Sequence, residues 1–108
     1  MKKYEVIVTP EAETGIGAAF EFMWEQSPES AAEWLRAVYR KIQTLETMPA
    51  RCARAREDQY LEHGLKQLLF QSHRIIFRIE KRAGIVRILH VRHVKQRSIG
   101  EPAPDETE

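Results

Sequence analysis

Cysteine is nearly missing: Cys52 stands alone among 108 residues. No internal disulfide can form and no zinc knuckle can be assembled, a usage that fits a reducing compartment. No apolar run approaches the roughly 18 residues that would suggest a membrane span. Met1-Lys2-Lys3 is followed only by the short Tyr4-Glu5-Val6-Ile7-Val8, which an acid interrupts, so a secretory h-region is lacking. The expectation is a cytoplasmic protein without a membrane partner. Internal repeats, a Ser-His-Asp pattern, a Gly-rich phosphate loop and EF-hand spacing are all absent. What remains, 43% apolar and 31% charged residues, is ordinary globular composition at a length that suits one core.

Charge is present but sorted. The net charge is only +1, yet residues 1 to 48 hold five bases against eight acids, and the segment from Ser98 holds four acids and no base. Between His73 and Arg97 stand eight Lys or Arg residues and the single acid Glu80, threaded through Ile75, Ile76, Phe77, Ile79, Val86, Ile88, Leu89 and Val91. A segment this basic that must also form core suggests a partner of opposite charge.

Tyr4 to Thr9 reads as a strand, and Thr9-Pro10-Glu11 opens a helix with an N-cap, a first-turn proline and an acid. Ala12, Ile16, Ala19, Phe20 and Met23 share one face of it. Gly15 and Gly17 each cost about 1 kcal/mol relative to Ala, and they fit either a close backbone approach or a frayed helix start. Ser27-Pro28-Glu29 repeats the start signal, so the first helix ends near Gln26. The second then carries Ala31, Trp34, Leu35, Val38, Ile42 and Leu45 to a stop at Met48-Pro49. Residues 50 to 64 follow neither period and read as a connecting loop, with at most a helical turn near Gln59 to Glu62. Three strands follow, Leu65 to Phe70, His73 to Glu80 and Ile85 to Arg92, joined by links short enough for an antiparallel meander.

Alternation places Ile75, Phe77 and Ile79 on one face of the middle strand and Arg74, Ile76 and Arg78 on the other. A turn at Arg82-Ala83 pairs Ile79 with Val86, Phe77 with Ile88 and Ile75 with His90. The second face then gathers Arg74, Arg78, Arg87 and His93 around Ile76, Leu89 and Val91, with Arg78 opposite Arg87. Like charges so placed call for an anion or an acid between them. Arg74, Arg78, Arg87, Ile76 and Leu89 are therefore the expected anion-binding set, for phosphates or an acidic protein segment, against the plainer alternative of arginines solvated or paired with glutamates of the helices. His90 and His93 lie three apart on a strand and cannot share a metal, so neither metal nor cofactor is expected. His93 is the better acid/base candidate, since imidazole is a side chain suited to proton exchange and the flanking cations would stabilise a developing phosphate charge.

The ordered combination of Thr-Pro-Glu-Ala at the first helix, Gly64-Leu65-Lys66-Gln67-Leu68, His73-Arg74-Ile75-Ile76-Phe77-Arg78-Ile79 and Ile88-Leu89-His90-Val91-Arg92-His93 resembles the RelE/ParE family of toxins from type II toxin-antitoxin modules (plasmid stabilisation proteins). The resemblance covers about residues 4 to 97. It implies an α+β fold of order β-α-α-β-β-β, a helical hairpin packed on an antiparallel sheet, over residues 1–97, leaving 98–108 as a disordered acidic tail. It implies growth inhibition and a cognate antitoxin with an acidic or amphipathic segment. Two targets are compatible with it. A ParE-like member would poison DNA gyrase or another replication target, and the long helices and the Leu-His-Val-Arg-His ending resemble this branch more. A RelE-like member would cleave mRNA on the ribosome without a metal, through Arg74, His93, Lys95 and Arg97, although the family's terminal tyrosine is missing here. A member that only binds antitoxin or operator is a third possibility.

Overall fold

Local chemistry sets the first half of the chain. In the computed structural model, which describes residues 2 to 102, strand β1 (Glu5–Val8) leads into helix α1 (Pro10–Trp24) and then α2 (Pro28–Gln43). The Thr9 hydroxyl accepts from the Ala12 N–H at 3.2 Å and donates to the Ile88 carbonyl at 2.7 Å. One side chain thus caps α1 and fixes its start against the sheet. Ser27 caps α2 by accepting from the Ser30 N–H at 3.3 Å. Helix α2 ends at Gln43, short of the expected Met48, because the Thr44 hydroxyl donates to the Lys41 carbonyl at 2.6 Å and the chain tightens into a 3-10 turn.

The second half supplies β2 (Ala53–Arg54), β3 (Leu65–Phe70), β4 (His73–Glu80) and β5 (Ile85–His93), in the spatial order β1-β5-β4-β3-β2. The meander is antiparallel as expected, but β1 pairs with β5 in parallel, from Glu5 with Ile85 to Val8 with Ile88, so the sheet is mixed. Parallel pairing needs a long connection, which the helical hairpin, the following loop and the strands β3 and β4 provide. That loop also contains β2 and a 3-10 turn at Arg56–Gln59, slightly before the expected helical turn.

Ala12, Ile16, Trp34, Val38, Ile42 and Leu45 of the helical layer close on Ile75, Phe77, Val86, Ile88 and Val91 in one core. The opposite sheet face holds a smaller cluster of Ala55, Leu65 and Ile76, with Leu89 against it.

The predicted β4–β5 register holds for Ile79 with Val86, Phe77 with Ile88 and Arg78 with Arg87, and then breaks. A bulge between Ile76 and Phe77 pairs Ile76 with His90 and Ile75 with Val91, correcting the expected Ile75–His90 pair. A one-residue slip moves every later side chain to the other face. Val91 and His93 therefore turn toward the helices, not to the arginine face where simple alternation put them.

Candidate functional site

Arg74 is the largest fully buried side chain, 1% exposed. Its two terminal nitrogens donate to the two carboxylate oxygens of Glu57 at 2.8 and 2.6 Å, and Nη1 also reaches Gln67 Oε1 at 2.9 Å. Glu57 is 0% exposed and also accepts the Ile99 N–H at 3.1 Å. This is a bidentate, charge-assisted pair sealed by the segment after β5. Ser98 is buried, and a Cβ on Gly100 would lie 2.9 Å from Tyr60 Cβ. The stretch expected to be disordered from Ser98 on thus begins with three residues, Ser98 to Gly100, that pack on the loop; residues 103 to 108 lie outside the described residues.

The next acid, Asp58, is also buried and accepts from Gly64 N–H, Leu65 N–H and Arg54. Sequence periodicity gave no sign of either acid, because a carboxylate buried in a loop leaves no repeat pattern. The only hint was two adjacent acids ahead of Gly64 and a basic strand.

Arg78 and Arg87 do face each other across the pair, and an acid does sit between them: Glu80. It accepts from Arg87 at 2.7 and 3.1 Å and from Arg78 Nε at 3.1 Å, while Arg78 Nη1 holds Glu62 at 2.9 and 3.0 Å. The glutamates come from the sheet and loop, not from the helices. Of the five residues expected to bind an anion or antitoxin, Arg74 and Ile76 are interior, Leu89 is half-buried, and Arg78 and Arg87 are half-exposed but internally neutralised.

His93, Lys95 and Arg97 belong to a separate place. The His93 ring meets His73 edge-on at 5.3 Å, and His73 in turn packs at 5.2 Å on Trp34 of α2. His93 Nδ1 accepts the Lys95 N–H at 3.1 Å, leaving the proton of the neutral ring on Nε2. Lys95 and Arg97 are exposed, and no carboxylate bridges them among the described residues. The proposed nuclease quartet is thus divided by the sheet, with Arg74 beneath it and His93 on the helix side. No cluster of three or more His, Cys, Asp or Glu suited to a metal occurs among the described residues, and none of their helices is long and apolar enough to cross a membrane.

A cleft of about 410 Å³ opens beside His73 and His93, between α1 and the end of β5. Ala18, Ala19, Phe22 and Met23 form its helix wall and Val91 its floor, with Ser72, Arg92 and Gln96 around the far side.

These environments make acid stability a direct readout. Burial alone would raise the Glu57 carboxyl, but its Arg74 and Ile99 hydrogen bonds outweigh that and hold it low. Asp58 is lowered likewise, burial being overcome by the Gly64 and Leu65 amides and Arg54. Glu80, held chiefly by Arg87, is lowered to about 2. His73 is lowered by burial and then by His93, and His90 by burial and then by Arg92. All five bind protons more weakly folded than unfolded, so stability rises with pH. The urea midpoint should be level between about pH 7 and pH 8. It should fall once pH drops below the ordinary histidine value of about 6.5, and again below about 4 as the carboxylates protonate. A midpoint unchanged from pH 7 to 3 would contradict this geometry.

A family model described as ParE toxin of type II toxin-antitoxin system, parDE, matches residues 6–97. Among curated proteins none matches. A solved structure of the chromosomal ParDE toxin-antitoxin system from P. aeruginosa superposes with a TM-score of 0.70 at 16% identity, over 84% of this chain and 96% of that one. The RelBE2 toxin-antitoxin complex from Mycobacterium tuberculosis gives a TM-score of 0.63 at 23% identity, over 86% and 93% of the two chains. Both likenesses establish the fold.

Proposed function

The chain belongs to the ParE toxin family of type II toxin-antitoxin systems, and on that premise we propose that it is a growth-inhibiting toxin, neutralised by a cognate antitoxin, whose target is DNA gyrase or the replication machinery it serves. An antitoxin partner is supported by the neighbours of like fold, which are toxin-antitoxin complexes. Either cellular target would place its action in the cytoplasm.

The observation that carries the choice of target is the Arg74–Glu57 pair. Metal-free cleavage of RNA needs cations on the scissile phosphate and a proton donor or acceptor converging on the same atoms. Arg74 spends both terminal nitrogens on a buried carboxylate, and the sheet stands between it and His93. Lys95 and Arg97 alone do not make that constellation. The site therefore favours inhibition by binding over phosphodiester chemistry.

Induction of the chain in a bacterial host should arrest growth without new RNA 5′ ends, and the purified protein should inhibit gyrase supercoiling of relaxed plasmid. Arrest should persist in His93→Ala. Appearance of new RNA ends that vanish in His93→Ala, with supercoiling unaffected, would overturn the gyrase reading in favour of a ribonuclease.

A further inference from the structure

We propose that the outward face of the helical hairpin is the surface by which two copies of this chain pair about a twofold axis, the acidic, aromatic end of each hairpin resting on the basic end of the other. Two shallow depressions define that surface. One, of about 400 Å³, is lined by Phe20, Glu21, Trp24 and Glu25 near the end of α1. The other, of about 530 Å³, is lined by Leu35, Arg36, Tyr39, Arg40 and Gln43 in the second half of α2. Phe20 and Leu35 are half-buried and the charged residues exposed, so both depressions open away from the sheet.

Their placement follows from the path of the chain. Only Glu25, Gln26 and Ser27 separate the helices, so α2 runs back along α1. Burial, and then the charge of Glu13, push the Tyr39 hydroxyl up, in keeping with the start of α1 lying beside the second half of α2. The acidic depression therefore sits at the turn end of the hairpin and the basic one at its open end.

Apolar surface and charge together say what covers them. Trp24 is 49% exposed and Tyr39 39%, and the Trp24 ring leans on Phe20, 5.6 Å away between centroids. Aromatics left this open are what an interface uses. Glu21, Glu25, Arg36 and Arg40 take part in no ion pair among the described residues, and α1 holds no basic residue at all. An occupant must offer a basic surface to one depression and an acidic surface to the other, in reverse order along a helical pair. A second copy turned end for end does both. A twofold axis across the hairpin makes the two contacts at once and closes the assembly at two chains. Arg36 and Arg40 then meet Glu21 and Glu25 of the other copy in charge-assisted pairs, with a guanidinium over the Trp24 ring. The cleft beside His93 shares no lining residue with either depression and stays open in such a pair.

Sedimentation equilibrium of the purified full chain tests this. The wild type should pass reversibly from one chain to two as concentration rises, and added salt should shift it back. Glu21→Lys with Glu25→Lys should weaken association about tenfold or more by setting like charges against each other, and Arg36→Glu with Arg40→Glu should do the same. Mixing the two variants should restore a dimer holding one of each, because both contacts are then again between opposite charges. That recovery also shows that neither variant has merely unfolded. Trp24→Ser should weaken pairing, whereas Phe22→Ser, in the cleft beside His93, should pair as the wild type does. A dimer indifferent to both charge reversals overturns the surface, and species that keep growing past two chains overturn the twofold arrangement. A wild type still monomeric at about 1 mM overturns the proposal outright. A Trp24 indole NMR signal that polylysine then moves would give the acidic end to a basic foreign partner instead.

Discussion

Glu57→Ala is expected to destabilise the fold by about 3–5 kcal/mol, because it leaves Arg74 charged, buried and without its carboxylate. The neighbouring Gln67 Oε1, at 2.9 Å, satisfies one N–H at most, and Arg74 Nε already has no partner among the described residues. The Ile99 N–H also loses its acceptor, so the segment from Ser98 should loosen at the same time. Urea unfolding measures the first effect, and hydrogen exchange at Ile99 the second. Glu57→Gln keeps the shape and should recover part of the loss, because the amide oxygen still accepts one bond while the charge stays uncompensated. The double variant Glu57→Leu with Arg74→Met should be more stable than either single one, since replacing both members of a buried pair removes the stranded charge. A Glu57→Ala midpoint within experimental scatter of wild type would mean that Arg74 reaches water or another acid, and the case against phosphodiester chemistry would lose its footing.

Gly15→Ala should also destabilise, by about 1–3 kcal/mol, although alanine is the better helix former by about 1 kcal/mol. A Cβ at this position would lie 2.5 Å from the Val91 carbonyl oxygen. That oxygen is backbone within a strand paired to β4, so it cannot swing aside as a side chain would. Helix α1 would have to lift from β5, loosening Ile16 and Val91 in the core as well as the cleft next to them. Gly17→Ala, with nothing within 4 Å of the added carbon, should instead stabilise by about 1 kcal/mol, the helix propensity acting unopposed. Thermal melts of the two variants should move in opposite directions. A stabilised Gly15→Ala would show that α1 does not pack as closely on β5 as drawn here.

The two glycines illustrate how far the chain could be read in one dimension. Each looked alike in sequence, open equally to a close backbone approach or to a frayed helix start. Which one faces a backbone oxygen depends on where β5 runs, and β5 is more than 70 residues away. The arginines behave the same way. Alternation correctly set Arg74, Ile76 and Arg78 on one face and Arg78 opposite Arg87, because side-chain direction in a strand has a strict period of two. It failed past the bulge at Ile76/Phe77, where one extra residue reverses that direction, and so it misplaced Val91 and His93.

The sequence by itself determined the two helices, the strand before them and the three strands of the meander, their order, the capped starts at Thr9 and Ser27 and the core face of each helix, since all of these rest on local propensity and periodic burial. Only the tertiary structure decided which charges of the basic segment are compensated. Its field is quenched at Arg74, Arg78 and Arg87 by Glu57, Glu62 and Glu80, and left open around Arg92, Lys95 and Arg97. Charge compensation depends on distances of a few ångströms between residues far apart in the chain, and such distances have no periodic trace in sequence.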